Sequence, residues 1–190
     1  MGIFDFFKKN KNIENDNGWN KIFYAKKNNN LYKLEGNKKD GKREGLWKGW
    51  YCKAKNMEYN TSTPRDLAFE ENYNNGDLKT RINYAPNGSV RNYYTYKEGV
   101  KHGPFVDFGY IHTADANIGS ASYWKKGNYK NSIQDGIMEI TFGDFYALKE
   151  DIFRKKKVVM KEIWKQGKCI SIEGNNKRLK DFILRYRILN

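Results

Sequence analysis

The sequence predicts a mainly β chain: an elongated, curved antiparallel β-sheet built of hairpin repeats, with a short C-terminal helix. Three observations carry that expectation. First, hydrophobic residues make up only 38% of the chain, yet 16% of it is aromatic, with 14 Tyr, 11 Phe and 5 Trp. Each ring buries roughly 150–250 Å², and aromatic-rich chains suit pleated surfaces better than helices. Second, a phrase recurs. Tyr96-Lys97-Glu98-Gly99-Val100-Lys101-His102-Gly103-Pro104-Phe105 is echoed by Gly41-Lys42-Arg43-Glu44-Gly45-Leu46-Trp47. Its front half, an aromatic followed three residues later by glycine, returns at Tyr73/Gly76, Trp124/Gly127 and Trp164/Gly167, and one residue longer at Tyr84/Gly88. Third, Asn-Gly and Glu-Gly pairs separate apolar runs, as tight hairpins require.

Taken in order, residues 1–17 read as an amphipathic segment and linker. Ile3, Phe4 and Phe7 fall at helical spacing, and the Asn- and Lys-rich stretch that follows reads as a connection. The β pattern occupies residues 18–174. Ile22–Ala25 is a short strand, and Leu31–Glu35 alternates as a half-buried strand does. Asn37–Gly41 turns into Leu46–Cys52, where Trp47, Gly49 and Tyr51 share a face. Residues 53–66 read as an inserted loop. Strands resume at Leu67–Tyr73, Leu78–Tyr84, Val90–Tyr96 and Phe105–Ile111, and short turns between them make an antiparallel meander. After a second loop at 112–120 come Ala121–Trp124, Gly136–Phe142, Val158–Trp164 and Cys169–Ile172. Residues 144–157 fit a helix or a strand. Residues 175–190 form the closing helix, with Leu179, Phe182, Ile183 and Tyr186 on one side.

The repeating unit has a physical logic. The first glycine turns the chain, and the second lets a neighbouring backbone or ring pack closely. No unit buries its own face alone, so hairpins must stack. The unit resembles the MORN repeat, and more closely the bacterial variant in proteins similar to YwqK-type antitoxins. The match is fullest at Gly41, Gly45, Trp47 and Tyr51, and at Tyr96, Gly99, Gly103, Phe105 and Tyr110. The likeness covers residues 30–174. Its units are unevenly spaced, Gly45 and Gly103 lying 58 residues apart, which implies insertions. The resemblance implies a protein-interaction or phospholipid-binding surface and, for the bacterial variant, an antitoxin or immunity protein that neutralises a toxin by binding it.

The formal net charge of +14 favours an acidic partner: a protein, an anionic membrane surface or nucleic acid. Two distant cysteines, Cys52 and Cys169, form no zinc or redox motif, so free thiols in a reducing compartment are expected. The first nine residues lack the features of a signal peptide. No apolar run nears the ~20 residues of a spanning helix, and Phe6 stands where a myristoylation motif wants Ser or Thr. A cytoplasmic location is expected.

No catalytic signature is found. His102 and His112 have no Cys, Asp or Glu at metal or triad spacing. Glu70 and Glu71 point to opposite faces and read as solvated strand positions, as does Glu139. The glycines precede strands, not helices, so no phosphate loop forms. No cofactor and no metal is expected. Basic residues interleave with rings at Lys48/Trp50/Tyr51, Arg91/Tyr93/Tyr94 and Tyr123/Trp124/Lys125/Lys126, as in single-strand binders. In a β repeat, however, such rings belong to the core, which disfavours nucleic acid. The expected function is therefore non-enzymatic: an immunity or antitoxin-type protein that occludes an acidic toxin domain. The expected contacts are Arg43, Trp50, Arg65, Lys101 and His102, because exposed Arg and Trp in turns and loops make common hot spots. The alternatives are a peripheral membrane scaffold that binds anionic lipid through residues 1–11 and a basic nucleic-acid-binding protein.

Overall fold

The computed structural model describes residues 12–26, 30–52, 67–111, 121–142, 148–150 and 157–174. The amphipathic N-terminal segment, both inserted loops with Arg65, His112, the C-terminal helix and most of the ambiguous stretch at 144–157 lie outside the described residues.

The described chain is mainly β. Eleven strands follow one another: β1 (Gly18–Lys26), β2 (Asn30–Lys39), β3 (Lys42–Cys52), β4 (Leu67–Asn74), β5 (Asp77–Tyr84), β6 (Val90–Lys97), β7 (Val100–Ile111), β8 (Ala121–Lys130), β9 (Ile133–Phe142), β10 (Val158–Lys165) and β11 (Lys168–Gly174). They join in one open sheet in chain order, as a meander does. Each strand sits where the apolar runs place one, and most extend further. The chain divides into two compact units, Met1–Ser89 with Tyr96–Gly99, and Val90–Thr95 with Val100–Asn190.

Five hairpin turns share one backbone solution. Asp40-Gly41, Asn75-Gly76, Glu98-Gly99, Asn131-Ser132 and Gln166-Gly167 all have positive φ at both central residues, the first of each pair between 50° and 52°. That is the signature of a two-residue type I′ turn, whose twist matches the strands it joins. Gly127 is not one of these turns. It lies inside β8, and the turn comes at Asn131-Ser132, where Ser132 adopts φ 65° without the help of glycine.

A further correction concerns the second glycine of the repeat. Gly45, Gly103 and Gly136 have φ of 64°, 90° and 83°, and a Cβ at Gly45 or Gly136 would meet nothing within 4 Å. At Gly45 and Gly136 the glycine is there for its left-handed backbone, not for close packing; at Gly103 a Cβ would also come within 2.9 Å of Thr95 Oγ1, so both needs meet there. Close packing also falls on other glycines: a Cβ at Gly36 would overlap the Trp47 ring, at Gly49 the Phe69 ring, at Gly109 the Tyr123 ring and at Gly127 the Met138 sulfur.

Register explains why the two halves of the repeat travel together. Gly45 pairs with Tyr73, Gly103 with Tyr129 and Gly136 with Trp164. The ring three residues before the second residue of one turn is thus the cross-strand partner of the left-handed glycine that follows an earlier turn. Backbone hydrogen bonds repeat the relation. The second turn residue donates N–H to a carbonyl two residues past that earlier turn: Gly76 to Arg43 at 2.9 Å, Ser132 to Lys101 at 2.7 Å and Gly167 to Gln134 at 3.2 Å.

In the first unit the core holds Leu34, Trp47, Ala68 and Phe69, with Ile22, Tyr51 and Tyr73 packed against it. Trp47 is fully buried, and its indole Nε1 donates to Asn37 O at 2.9 Å. In the second unit Phe105, Trp124, Met138, Ile140 and Met160 are buried to 2% exposure or less.

Candidate functional site

Pairing across the first unit puts Trp47 opposite Glu71, and Glu71 opposite Arg81. Arg43 comes two residues past the Asp40-Gly41 turn, and Tyr73 two residues beyond Glu71, so all five side chains meet on one face. Glu71 is 5% exposed, not the solvated carboxylate its sequence context suggests. Its Oε1 receives Arg81 Nη1 at 2.8 Å, and its Oε2 receives the Tyr73 hydroxyl at 2.8 Å. Arg43 Nη1 donates to Tyr73 Oη at 2.8 Å and stands 3.6 Å from Glu71 Oε2. The two guanidinium groups rest on rings: Arg43 lies 4.7 Å from the Trp47 centroid and 5.3 Å from that of Tyr73, and Arg81 lies 4.4 Å from that of Phe69. Stacking of this kind holds a guanidinium's plane and keeps its outward N–H groups oriented. Burial above all, then the Glu71 carboxylate, pushes the Tyr73 hydroxyl above its usual range, with Arg43 opposing, so the phenol stays a donor.

Beside these groups lies a cavity of about 340 Å³ lined by Ile22, Leu34, Arg43, Phe69, Glu71 and Arg81. Two cations share one carboxylate there, which leaves a net positive charge over an apolar floor. Such a combination suits an anion with an apolar body.

The second unit repeats the station with altered chemistry. Lys101 comes two residues past the Glu98-Gly99 turn, as Arg43 does past its own. Its Nζ lies 3.4 Å from the Tyr94 centroid and 5.2 Å from that of Tyr129. Phe105 completes the aromatic wall, 4.6 Å from Tyr129 and 6.4 Å from Tyr94 between centroids. Gly127, opposite Phe105, takes the place of the carboxylate that Glu71 supplies opposite Trp47. The acid here is Asp107, paired with Lys125 and accepting the Tyr94 hydroxyl at 2.5 Å. Burial raises Asp107 above the usual carboxylate range, against the opposing effects of Tyr94, Lys101 and Lys125. Burial likewise lowers Lys101, and Asp107 offsets part of that. Among the described residues Lys101 forms no ion pair within 4 Å.

A third version appears at β9–β10. Trp164 Nε1 donates to Glu162 Oε2 at 2.8 Å, and Lys125 Nζ lies 2.9 Å from the same carboxylate. Glu162 and Lys125 are 1% and 14% exposed at their side chains, which makes this a closed pair and not a receptor.

The structure thus places Arg43 in the first station and Lys101 in the second. Both are half-buried strand residues, not exposed turn positions. His102 is also in β7, half-buried, with Nδ1 3.1 Å from Asn131 Oδ1. Trp50 corrects the expectation of an exposed anchor. It is 9% exposed, on the face away from Gly49, with Lys33 Nζ 5.3 Å from its ring. Glu70 is buried as well, receiving Tyr84 Oη at 3.0 Å with Lys48 at 3.7 Å.

Sequence reasoning missed Glu71, Tyr73 and Arg81 as site residues. One signal was present: Glu, one residue, an aromatic, two residues, then Gly, at both Glu71-to-Gly76 and Glu162-to-Gly167. Among the described residues no three His, Cys, Asp or Glu are grouped to hold a metal ion. Nor is any described helix long and apolar enough to cross a membrane, which says nothing of a β-barrel. No family model, no curated protein and no solved structure matches the chain.

Proposed function

We propose that the chain is a non-enzymatic binding protein whose basic sheet face takes an acidic protein partner. The observation that carries this reading is the pair of ring-stacked guanidinium groups, Arg43 and Arg81, sharing the single carboxylate of Glu71 beside a cavity that Ile22, Leu34 and Phe69 also line. Held groups of one sign lose little freedom on binding, and a net charge of +14 steers an acidic partner toward them. The MORN-like resemblance, which entails an elongated, curved stack of hairpins, narrows the partner to a toxin domain. Neutralisation would then be occlusion by a preformed surface inside the cytoplasm.

Nucleic acid is the weaker reading. Trp50 and Trp124, two of the rings interleaved with basic residues, are 9% and 0% exposed, so neither offers a face to a base. Anionic lipid met through residues 1–11 draws on a segment outside the described residues.

The test is capture on the immobilised full-length chain from a lysate of its own organism, at two salt concentrations, with mass spectrometry of what is held. The expected result is one stoichiometric acidic protein that survives moderate salt. Retention of nucleic acid or lipid alone, lost steeply as salt rises, overturns the proposal.

A further inference from the structure

We infer that the cavity over Ile22, Leu34 and Phe69 is a receptor for a C-terminal carboxylate, the last residue of a partner chain ending in a large apolar side chain. The inference rests on the binding-protein reading and names the chemistry by which the site takes hold.

Donor accounting comes first. Arg43 spends Nη1 on Tyr73 and Glu71, and Arg81 spends Nε on Asn83 Oδ1 at 2.9 Å and Nη1 on Glu71. A guanidinium has five N–H donors. The Nη2 groups of both arginines have no partner among the described residues. Their side chains are 33% and 30% exposed, so these donors are reachable from solvent. Glu71 already receives two short hydrogen bonds, so a second carboxylate entering the site meets two cations against one anion.

The floor then selects the bearer of that carboxylate. Ile22, Leu34 and Phe69 line the same cavity as the guanidinium groups. Leu34 and Phe69 show only 5% and 6% of their surface and Ile22 is half-buried, so an oxyanion with no apolar body forgoes the contact that these apolar edges offer. An internal Asp or Glu carries its charge on one or two methylenes and has little to lay on the floor. A C-terminal Phe or Leu holds its carboxylate and its side chain on one carbon, so both contacts form together. The volume of 340 Å³ is near the lower end for ligand sites and admits about one such residue. Bidentate carboxylate recognition by arginine supplies the orientation.

Calorimetric titration of the full-length chain with N-acetyl-L-phenylalanine, its amide, N-acetylglycine and inorganic phosphate tests this. The expected Kd for N-acetyl-L-phenylalanine is on the order of a millimolar, as a ligand of that size allows. Its amide, N-acetylglycine and phosphate should each bind at least about tenfold more weakly, by the loss of charge-assisted bonds or apolar contact. A pentapeptide ending in Phe should bind more tightly than the single residue, and its C-terminal amide should not. Arg81→Met should weaken binding about tenfold or more. Should that variant fold poorly, Arg43→Lys keeps the charge, loses the fork and should weaken binding several-fold. Lys101→Met should leave it unchanged. Equal binding of acid and amide, or equal binding by all variants, overturns the inference. The two readings fail separately. If a captured acidic partner holds as tightly after removal of its C-terminal residues, this inference falls and the binding-protein reading stands. If the acetylated residue binds as described but no acidic protein is ever retained, the reverse holds.

Discussion

Arg43 and Lys101 occupy the same place in two copies of one backbone pattern, and their surroundings show what the pattern leaves free. Each follows a type I′ turn by two residues, offers its carbonyl to a later turn, and lies beside a tyrosine whose cross-strand partner is a left-handed glycine. The backbone needs only the turns, the glycine and the ring. The carboxylate belongs to neither requirement, and it moves. In the first unit it is Glu71, opposite Trp47; in the second Gly127 stands opposite Phe105, and the acid is Asp107 on the neighbouring pair. One shift turns a solvent-facing arginine pair with a shared counter-ion into a lysine walled by rings. A repeat can therefore keep its architecture while each station takes a chemistry of its own.

The largest expected effect tests whether the two stations share a foundation. Trp47→Ala and Phe105→Ala each remove a ring that is at most 1% exposed, and each should cost about 3–5 kcal/mol in urea unfolding. A Phe105→Ala cost below about 1 kcal/mol would break the equivalence.

The acids should then separate the stations. Glu71→Gln leaves two cations without their counter-ion and should cost about 1–3 kcal/mol, less than a fully buried pair because both arginines are about a third exposed. Asp107→Asn should be nearly neutral at pH 7, and the sign of its pH dependence distinguishes it. Burial raises Asp107 in the folded state, so the native chain holds that proton more tightly than the unfolded one. Its contribution is present below the usual carboxylate range and is lost as pH rises through the raised value. Wild type should lose stability over that window relative to Asp107→Asn, as paired urea titrations would show. Parallel curves would contradict the assignment.

The smallest effect concerns the cations themselves. Arg43→Met removes a guanidinium bonded to Tyr73 and stacked on two rings, at a cost of about 1 kcal/mol. Lys101→Met removes a partly desolvated ammonium from an aromatic wall but keeps an apolar stem there, and should change stability by less than about 0.5 kcal/mol. Thermal unfolding of both variants in one buffer measures the difference.

The strands were legible because alternation and turn residues are local signals. Where the local signal was absent, the reading slipped. Asn131-Ser132 turns without glycine, and the glycine at the repeat's spacing from Trp124 is Gly127, which is needed beneath Met138. The second glycine of the repeat packs closely at Gly103 but not at Gly45, where its left-handed φ, invisible in sequence, is what requires it. The candidate site was legible only at its edges. Arg43 and Lys101 were singled out for exposure, whereas what distinguishes them is the ring and acid they meet. Tyr73 lies 30 residues from Arg43, and Glu71 lies 10 from Arg81. Only strand register brings such residues together. Trp50 was misjudged for a related reason. Both faces of β3 carry a tryptophan, and alternation alone does not say that both are covered.

The most direct measurement is a side-by-side capture of the acidic partner by wild type, the Arg43→Met/Arg81→Met double variant and Lys101→Met, each first shown to be folded. The account predicts that wild type and Lys101→Met retain the partner at moderate salt and that the double variant loses it. Equal retention by all three, or loss with Lys101→Met alone, would contradict the assignment of recognition to the first station.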